Sequence, residues 1–234
     1  MSKNPNTSRI TKKQFRTWNE AMFLRHHPKL VFGNPNPLVR YTEQKRIDAI
    51  IDFLQPLRPS DQILAAGCGD GHIENFISTG RITMVDISKQ AIRDAKANSH
   101  NPPPKKFVLA DLEHLPFPKN TFNKIECSEV IEHVYSPTKL LSELHRVLKP
   151  SGFLVISFPN EQLINLLKKV FLTLGIFDLF FPNVPPDMTA EWHLRSYHLP
   201  AFLHDSSSLW QITGIKRIPF PFLPIRYVVK CSKT

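Results

Sequence analysis

Three glycines spaced two apart, Gly67, Gly69 and Gly71, follow a short apolar run, Ile63-Leu-Ala-Ala66. Glycine reaches backbone angles closed to other residues and puts no side chain between main chain and ligand. A strand that ends in such a turn and feeds a helix makes a pocket for a nucleoside-bearing cofactor, at the carboxyl edge of a parallel sheet. A dinucleotide turn would read Gly-x-Gly-x-x-Gly. Here the spacing is Gly-x-Gly-x-Gly, so the residues that follow must identify the ligand. Asp86 ends the next apolar run, where a carboxylate can accept hydrogen bonds from both ribose hydroxyls. Asp111 ends a third run, and Glu129-Val-Ile-Glu-His133 follows a fourth. Acidic residues thus recur at successive strand tips. Glu129, Glu132 and His133 also have the oxygen and nitrogen chemistry to hold Mg²⁺ or a similar cation.

The pieces ILAAGCGDG (63–71), MVDIS (84–88), LADLEHLPFPKNTFNKIECSEVIEHV (109–134) and LLSELHRVLKPSGFLVISFPN (140–160) cover about 100 residues. In that order and spacing the chain resembles the class I S-adenosylmethionine-dependent methyltransferases, in the branch called methyltransferase type 11. The resemblance implies S-adenosyl-L-methionine as cofactor. It places the methionine end at the glycine turn (Gly67, Cys68, Gly69, with Gly71 closing it) and the ribose at Asp86, with Ile87 against the adenine. Asp111 would bond the adenine amino group, Leu112 would lie beside it, and Ser128 would sit near the sulfonium. The family carries an acidic residue two positions before the first glycine; this chain has Ala65 there. Asn123 stands where the family often has Asp.

The same resemblance puts substrate-facing groups after the fourth strand. His133 is therefore the expected catalytic base, since an imidazole titrates near neutrality and can take a proton from a phenol or hydroxyl. His193, in Trp192-His-Leu-Arg-Ser-Tyr197, is the second catalytic candidate, because this stretch is similar to the family's post-lid segment. Glu-x-x-Glu-His and Ser157-Phe-Pro-Asn160 occur in metal-dependent relatives and in type 11 proteins without metal, and no metal is expected.

Strand and helix patterns must position these residues. Apolar runs predict strands at 63–66, 81–85, 107–110, 125–128 and 153–157, with closing strands at 216–218 and 227–230 around the proline-rich 219–224. Helices are expected at 41–54, where Ile47, Ile50, Ile51 and Leu54 share a face, and at 72–79, 138–148 and 199–209. The alternation argues for an α/β, doubly wound, mainly parallel seven-stranded sheet, Rossmann-like. Leu163, Leu166, Leu167, Val170, Phe171 and Leu174 repeat at three and four, an amphipathic helix. It opens an expected helical lid insertion at about 161–190, apolar enough to favour an apolar acceptor or peripheral contact with a membrane surface. Residues 1–40 read as a basic N-terminal tail and cap, and 41–234 as the methyltransferase domain.

The chain of 234 residues has a net charge of +10, and residues 1–60 hold eleven Lys and Arg against four Asp and Glu. That bias attracts anions of any kind without choosing among them. The three cysteines, Cys68, Cys127 and Cys231, fit neither a disulfide framework nor a zinc spacing, which suits a reducing cytoplasm. The N-terminus has no apolar segment of the secretory kind. The expected function is methyl transfer to a small-molecule acceptor (a quinone, phenol, lipid or sugar), most often at oxygen. An RNA 2′-O-methyltransferase fits the basic N-terminal part, although no RNA-binding module is recognisable. A non-catalytic S-adenosylmethionine-binding module fits Ala65.

Overall fold

The computed structural model describes residues 10–25, 33–34, 36–99, 102–177 and 193–234. Its centre is a seven-stranded sheet in the order β3-β2-β1-β4-β5-β7-β6. The strands are β1 (Gln62–Ala66), β2 (Arg81–Asp86), β3 (Lys105–Leu109), β4 (Phe122–Ser128), β5 (Leu148–Pro159), β6 (Trp210–Phe220) and β7 (Leu223–Lys233). The first five are parallel; β7 runs antiparallel to both β5 and β6. The chain steps from β1 outward to β3, then returns to place β4 on the other side of β1. That reversal opens a crevice at the carboxyl ends of β1 and β4, where open α/β sheets bind their ligands.

The helices α1 (Lys12–Arg25), α2 (Pro37–Leu54), α3 (Lys89–Asn98), α4 (Pro137–Val147), α5 (Glu161–Thr173) and α6 (Leu199–Ser206) surround the sheet. Alternate residues along each strand face opposite sides. Ile63, Ala65, Ile82, Met84 and Val155 pack with Ala49, Ile50 and Leu54 of α2 and Ala95 of α3. Leu64, Ala66, Val85, Ile125, Cys127 and Ile156 pack with Leu140, Leu141 and Leu144 of α4 and Phe202 of α6. The sheet is thus covered on both faces, as the doubly wound reading expects. Cys68, Cys127 and Cys231 are buried free thiols.

Local chemistry sets the element ends. Asn36 caps α2 by accepting from Leu38 N, and Pro37 takes the first helical position, so this helix starts four residues earlier than its apolar period indicates. Ser88 caps α3 and Ser136 caps α4, each by accepting from a backbone N–H three residues on. The helix expected at 72–79 is only a tight 3₁₀ turn, Ile73–Phe76. Only nine residues join Gly71 to Arg81, and the chain must turn back within them to begin β2. The proline-rich 219–224 stretch is not a loop between two short strands. Pro219 pairs with Pro224 and Phe220 with Leu223, so the hairpin runs nearly to its tip. Among the described residues, no helix is long and apolar enough to cross a membrane.

Candidate active site

The glycine turn is built by backbone geometry. Gly67, Gly69 and Gly71 have φ of 80°, 52° and 78°, in the left-handed region that side chains disfavour. Gly67 N and Cys68 N both donate to Val85 O, at 2.8 and 3.0 Å, which ties the turn to β2. A Cβ on Gly67 would stand 2.3 Å from Val130 Cγ2. The same test at Gly71 gives 2.9 Å to Met84 Cε and 3.2 Å to Ala95 Cα. Gly71 therefore packs the turn against α3 and is not part of the cavity wall, unlike Gly67, Cys68 and Gly69.

Asp86 ends β2 and faces this turn. Its Oδ2 accepts from Gly69 N at 3.0 Å and its Oδ1 from Ser88 N at 2.9 Å. Burial pushes its carboxyl up, and the hydrogen bonds from Ser88 and Gly69 pull it back. Asp111, held by Glu113 N at 2.9 Å, lies beyond β3. Asp86, Ile87, Asp111, Leu112 and Ser128 all line one cavity of about 290 Å³ with the glycine turn. The fold thus brings these five positions, expected from sequence to hold the cofactor, around one cavity.

The same cavity is lined by groups that strand patterns did not reveal. Glu129 follows β4 with φ 54°, an uncommon angle for a residue with a side chain. Strain of that kind persists where the surroundings fix it, and here the surroundings form a closed ring of hydrogen bonds. Glu43 Oε2 accepts from Arg46 Nε at 3.1 Å and Nη2 at 2.7 Å. Arg46 Nη1 donates to Ser128 Oγ. Ser128 Oγ and Ser157 Oγ are 2.7 Å apart, and Ser157 Oγ donates to Glu129 Oε1 at 3.0 Å. Arg226 Nε donates to Glu129 Oε2 at 3.0 Å, and its Nη1 closes the ring on Glu43 Oε1. Because Ser157 spends its proton on Glu129, the Ser128 hydroxyl must donate to Ser157. Two guanidinium groups balance two carboxylates, and α2, β4, β5 and β7 are fastened together under the cavity.

Beside the ring lie His133 and His193. Their ring centroids are 4.8 Å apart in an edge-to-face arrangement. His193 Nδ1 stands 2.5 Å from Glu161 Oε1 at the start of α5. Leu194 N donates to Glu132 O at 3.1 Å, which fastens the segment after α5 to the end of β4. Burial, with Glu129 adding repulsion, pushes the Glu132 carboxyl well up. Both histidines line the cavity, so the two catalytic candidates, 60 residues apart in sequence, meet in its wall. Phe15, Asn19 and Phe23 of α1 and Ile164 of α5 complete the wall. The N-terminal helix is therefore part of the site and not a detached cap. Trp192 and residues 178–191 of the expected lid lie outside the described residues.

The order of the strands and a nucleoside-type cavity at the switch point define the fold of the class I methyltransferases. Residues 64–156 match the Methyltransferase domain family. That stretch, less than half of the chain, carries the likeness to methyltransferase domains, set in a sheet of the class I order. Demethylmenaquinone methyltransferase of Chlamydia muridarum is 30% identical over 132 residues, 53% of this chain and 57% of that protein. The mitochondrial arginine-hydroxylase NDUFAF5 of Rattus norvegicus is 35% identical over 95 residues, 39% of this chain and 27% of that protein. Among solved structures, magnesium protoporphyrin IX methyltransferase from Synechocystis PCC 6803, with bound SAH, superposes with a TM-score of 0.68 at 16% identity. It covers 94% of this chain and 100% of that one. The chain spans about half or less of the length of the first curated relatives it matches. S-adenosylmethionine is the cofactor of this domain, and the residues present fit it. The turn that would cradle it excludes a Cβ at Gly67, and two carboxylates reach the cavity from the next two strand ends.

Proposed function

We propose that this protein transfers the methyl group of S-adenosylmethionine to an oxygen of a small, largely apolar acceptor such as a quinone, phenol, lipid or sugar. The observation that carries the reading is one cavity lined both by the glycine turn, Asp86 and Asp111 and by His133 and His193.

Bound S-adenosylmethionine supplies a methyl carbon on a cationic sulfur; an oxygen lone pair forms the new O–C bond, and the C–S pair stays on sulfur as S-adenosylhomocysteine. The protein's part is alignment and exclusion of water. Gly67, Cys68 and Gly69 hold the methionine end. Asp86 takes the ribose hydroxyls beside Ile87, and Asp111 takes the adenine amino group beside Leu112. Ser128, with its proton committed to Ser157, stands near the sulfonium as a fixed acceptor. The acceptor's proton is lost where His133 and His193 lie. Phe15, Phe23, Val134, Pro159 and Ile164 supply an apolar wall on the acceptor side. In this reading α5 forms part of the lid.

Purified full-length chain is incubated with S-adenosylmethionine labelled in the methyl group and a panel of hydroquinones, phenols, lipids, sugars and RNA. Label in an apolar hydroxyl acceptor is the expected result. Label in RNA moves the acceptor to nucleic acid. No label in any acceptor, with no donor uptake by calorimetry, sinks the reading.

A further inference from the structure

We propose that Glu132, His133 and His193 form a binding site for one divalent transition-metal ion, in the wall of the cavity. The inference deepens the proposed function and rests on its assignment of that wall to the acceptor.

One ligand atom from each of the three residues lies within 4.8 Å of the others. Ligand atoms bound at about 2.0–2.2 Å to a common ion stand roughly 3–4 Å apart, so side-chain rotations of about an ångström would close the set. The sequence alone offered Glu129, Glu132 and His133. Folding brings His193 in from a separate segment and gives Glu129 to Arg226 and Ser157.

Two further observations point to a cation at this place. Both carboxylate oxygens of Glu132 are buried and have no hydrogen-bond partner among the described residues. A buried carboxylate in that state is costly, and one left so in a cavity wall asks for a ligand. Among the described residues, the ion-pair partners of Glu132 and Glu161 are the two imidazoles, with no Lys or Arg within 4 Å. Independently, histidines that hold a metal commonly bond a carboxylate through their second ring nitrogen, which fixes the ring. His193 has that partner in Glu161, at 2.5 Å.

Two imidazoles and one carboxylate suit Mn²⁺, Fe²⁺, Co²⁺ or Zn²⁺ better than the all-oxygen preference of Ca²⁺ or Mg²⁺. Three protein ligands leave further coordination positions, as in catalytic metal sites. All three residues line the cavity. A cation there would meet the acceptor oxygen directly and draw charge from it. The O–H pair then remains on oxygen, and the proton passes to water. Here His133 and His193 are ligands, and Glu161 is a positioning residue.

The test uses the full chain, stripped with a chelator and titrated with Zn²⁺ and, separately, Mn²⁺ by calorimetry. Uptake of one ion per chain is expected. Glu132→Gln and His193→Ala should each weaken uptake by at least about tenfold, and Glu161→Gln by about 10–100-fold. Circular dichroism checks that each variant is folded. Sub-stoichiometric uptake by the wild type at excess ion overturns the proposal, as does equal uptake by wild type and folded variants. S-adenosylmethionine binding is measured on the same samples. Donor binding without an ion fails this inference alone, and an ion without donor binding fails the methyltransferase reading alone.

Discussion

Ala65 of β1 and Glu126 of β4 are register partners in neighbouring parallel strands, and both are buried. Residues so paired face the same side of the sheet. Ala65 occupies the position at which the family carries an acidic group, and in this chain a carboxylate stands one strand over. Glu126 Oε1 has no hydrogen-bond partner among the described residues, and burial pushes this carboxyl well up, with Glu74 adding repulsion. Burial also raises Glu74, to about 8. Two buried acids, each with its carboxyl pushed up, therefore lie near the glycine turn.

That pair makes stability depend on pH. An acid whose folded-state value lies above its unfolded value stabilises the fold fully below the unfolded value. The contribution fades as pH rises through the folded one. For Glu74 the window runs from its ordinary 4.5 to about 8. Thermal melts of the wild type should fall across this range, on the order of 1 kcal/mol per pH unit. Glu74→Gln should flatten the fall and melt higher at the alkaline end. A variant with an unchanged slope would contradict the assignment.

Asp86→Ala should weaken S-adenosylmethionine binding by about 1–3 kcal/mol, the scale of lost hydrogen bonds to a charged group. Calorimetry reads it directly. Because Asp86 also holds Gly69 N, melting temperature should drop in the absence of donor too. Asp86→Asn, which keeps one acceptor oxygen, should recover part of both. Unchanged affinity in the alanine variant would show that the ribose lies elsewhere.

Gly67→Ala should be among the most damaging changes in the turn. The added methyl would lie 2.3 Å from Val130 Cγ2, on a backbone at φ 80°. A second change, Val130→Ala, removes the overlap but not the backbone cost of about 1 kcal/mol or more. The double variant should thus melt between Gly67→Ala and wild type. Complete recovery would place the whole penalty on the overlap.

Glu20 links the N-terminal helix to the cofactor side. Its two carboxylate oxygens accept from Lys89 N at 2.8 Å and Gln90 N at 3.1 Å, at the start of α3. A carboxylate there also meets the positive end of the helix. Glu20→Ala should cost about 1 kcal/mol and free α1 from the cavity it helps to wall. Limited proteolysis should then cut within residues 12–25 faster than in the wild type, and donor should dissociate faster. Equal cleavage rates would show that α1 is held by its apolar contacts alone.

What the sequence made legible follows from range. Asp86 and Asp111 could be placed because each ends an apolar run, and strand ends are local features. The sheet class followed from the alternation of such runs. Arg46 and Arg226 carry no local mark. Their roles arise from contacts such as Arg226 with Glu43, 183 residues apart. The 3₁₀ turn at Ile73–Phe76 was read as a helix because composition does not report how little chain must reverse direction. His193 could be named from its neighbours, but its meeting with His133 and Glu132 depends on the path of the chain after α5.

The ring of Glu43, Arg46, Ser128, Ser157, Glu129 and Arg226 bears on how this protein can be dissected. Only Ser128 and Glu129 fall within residues 64–156, the stretch that matches the methyltransferase domain. Excised alone, that module would lose both guanidinium groups and face water where a floor should be. The shared stretch repeats a common template, while the individuality of this protein is written in its flanks.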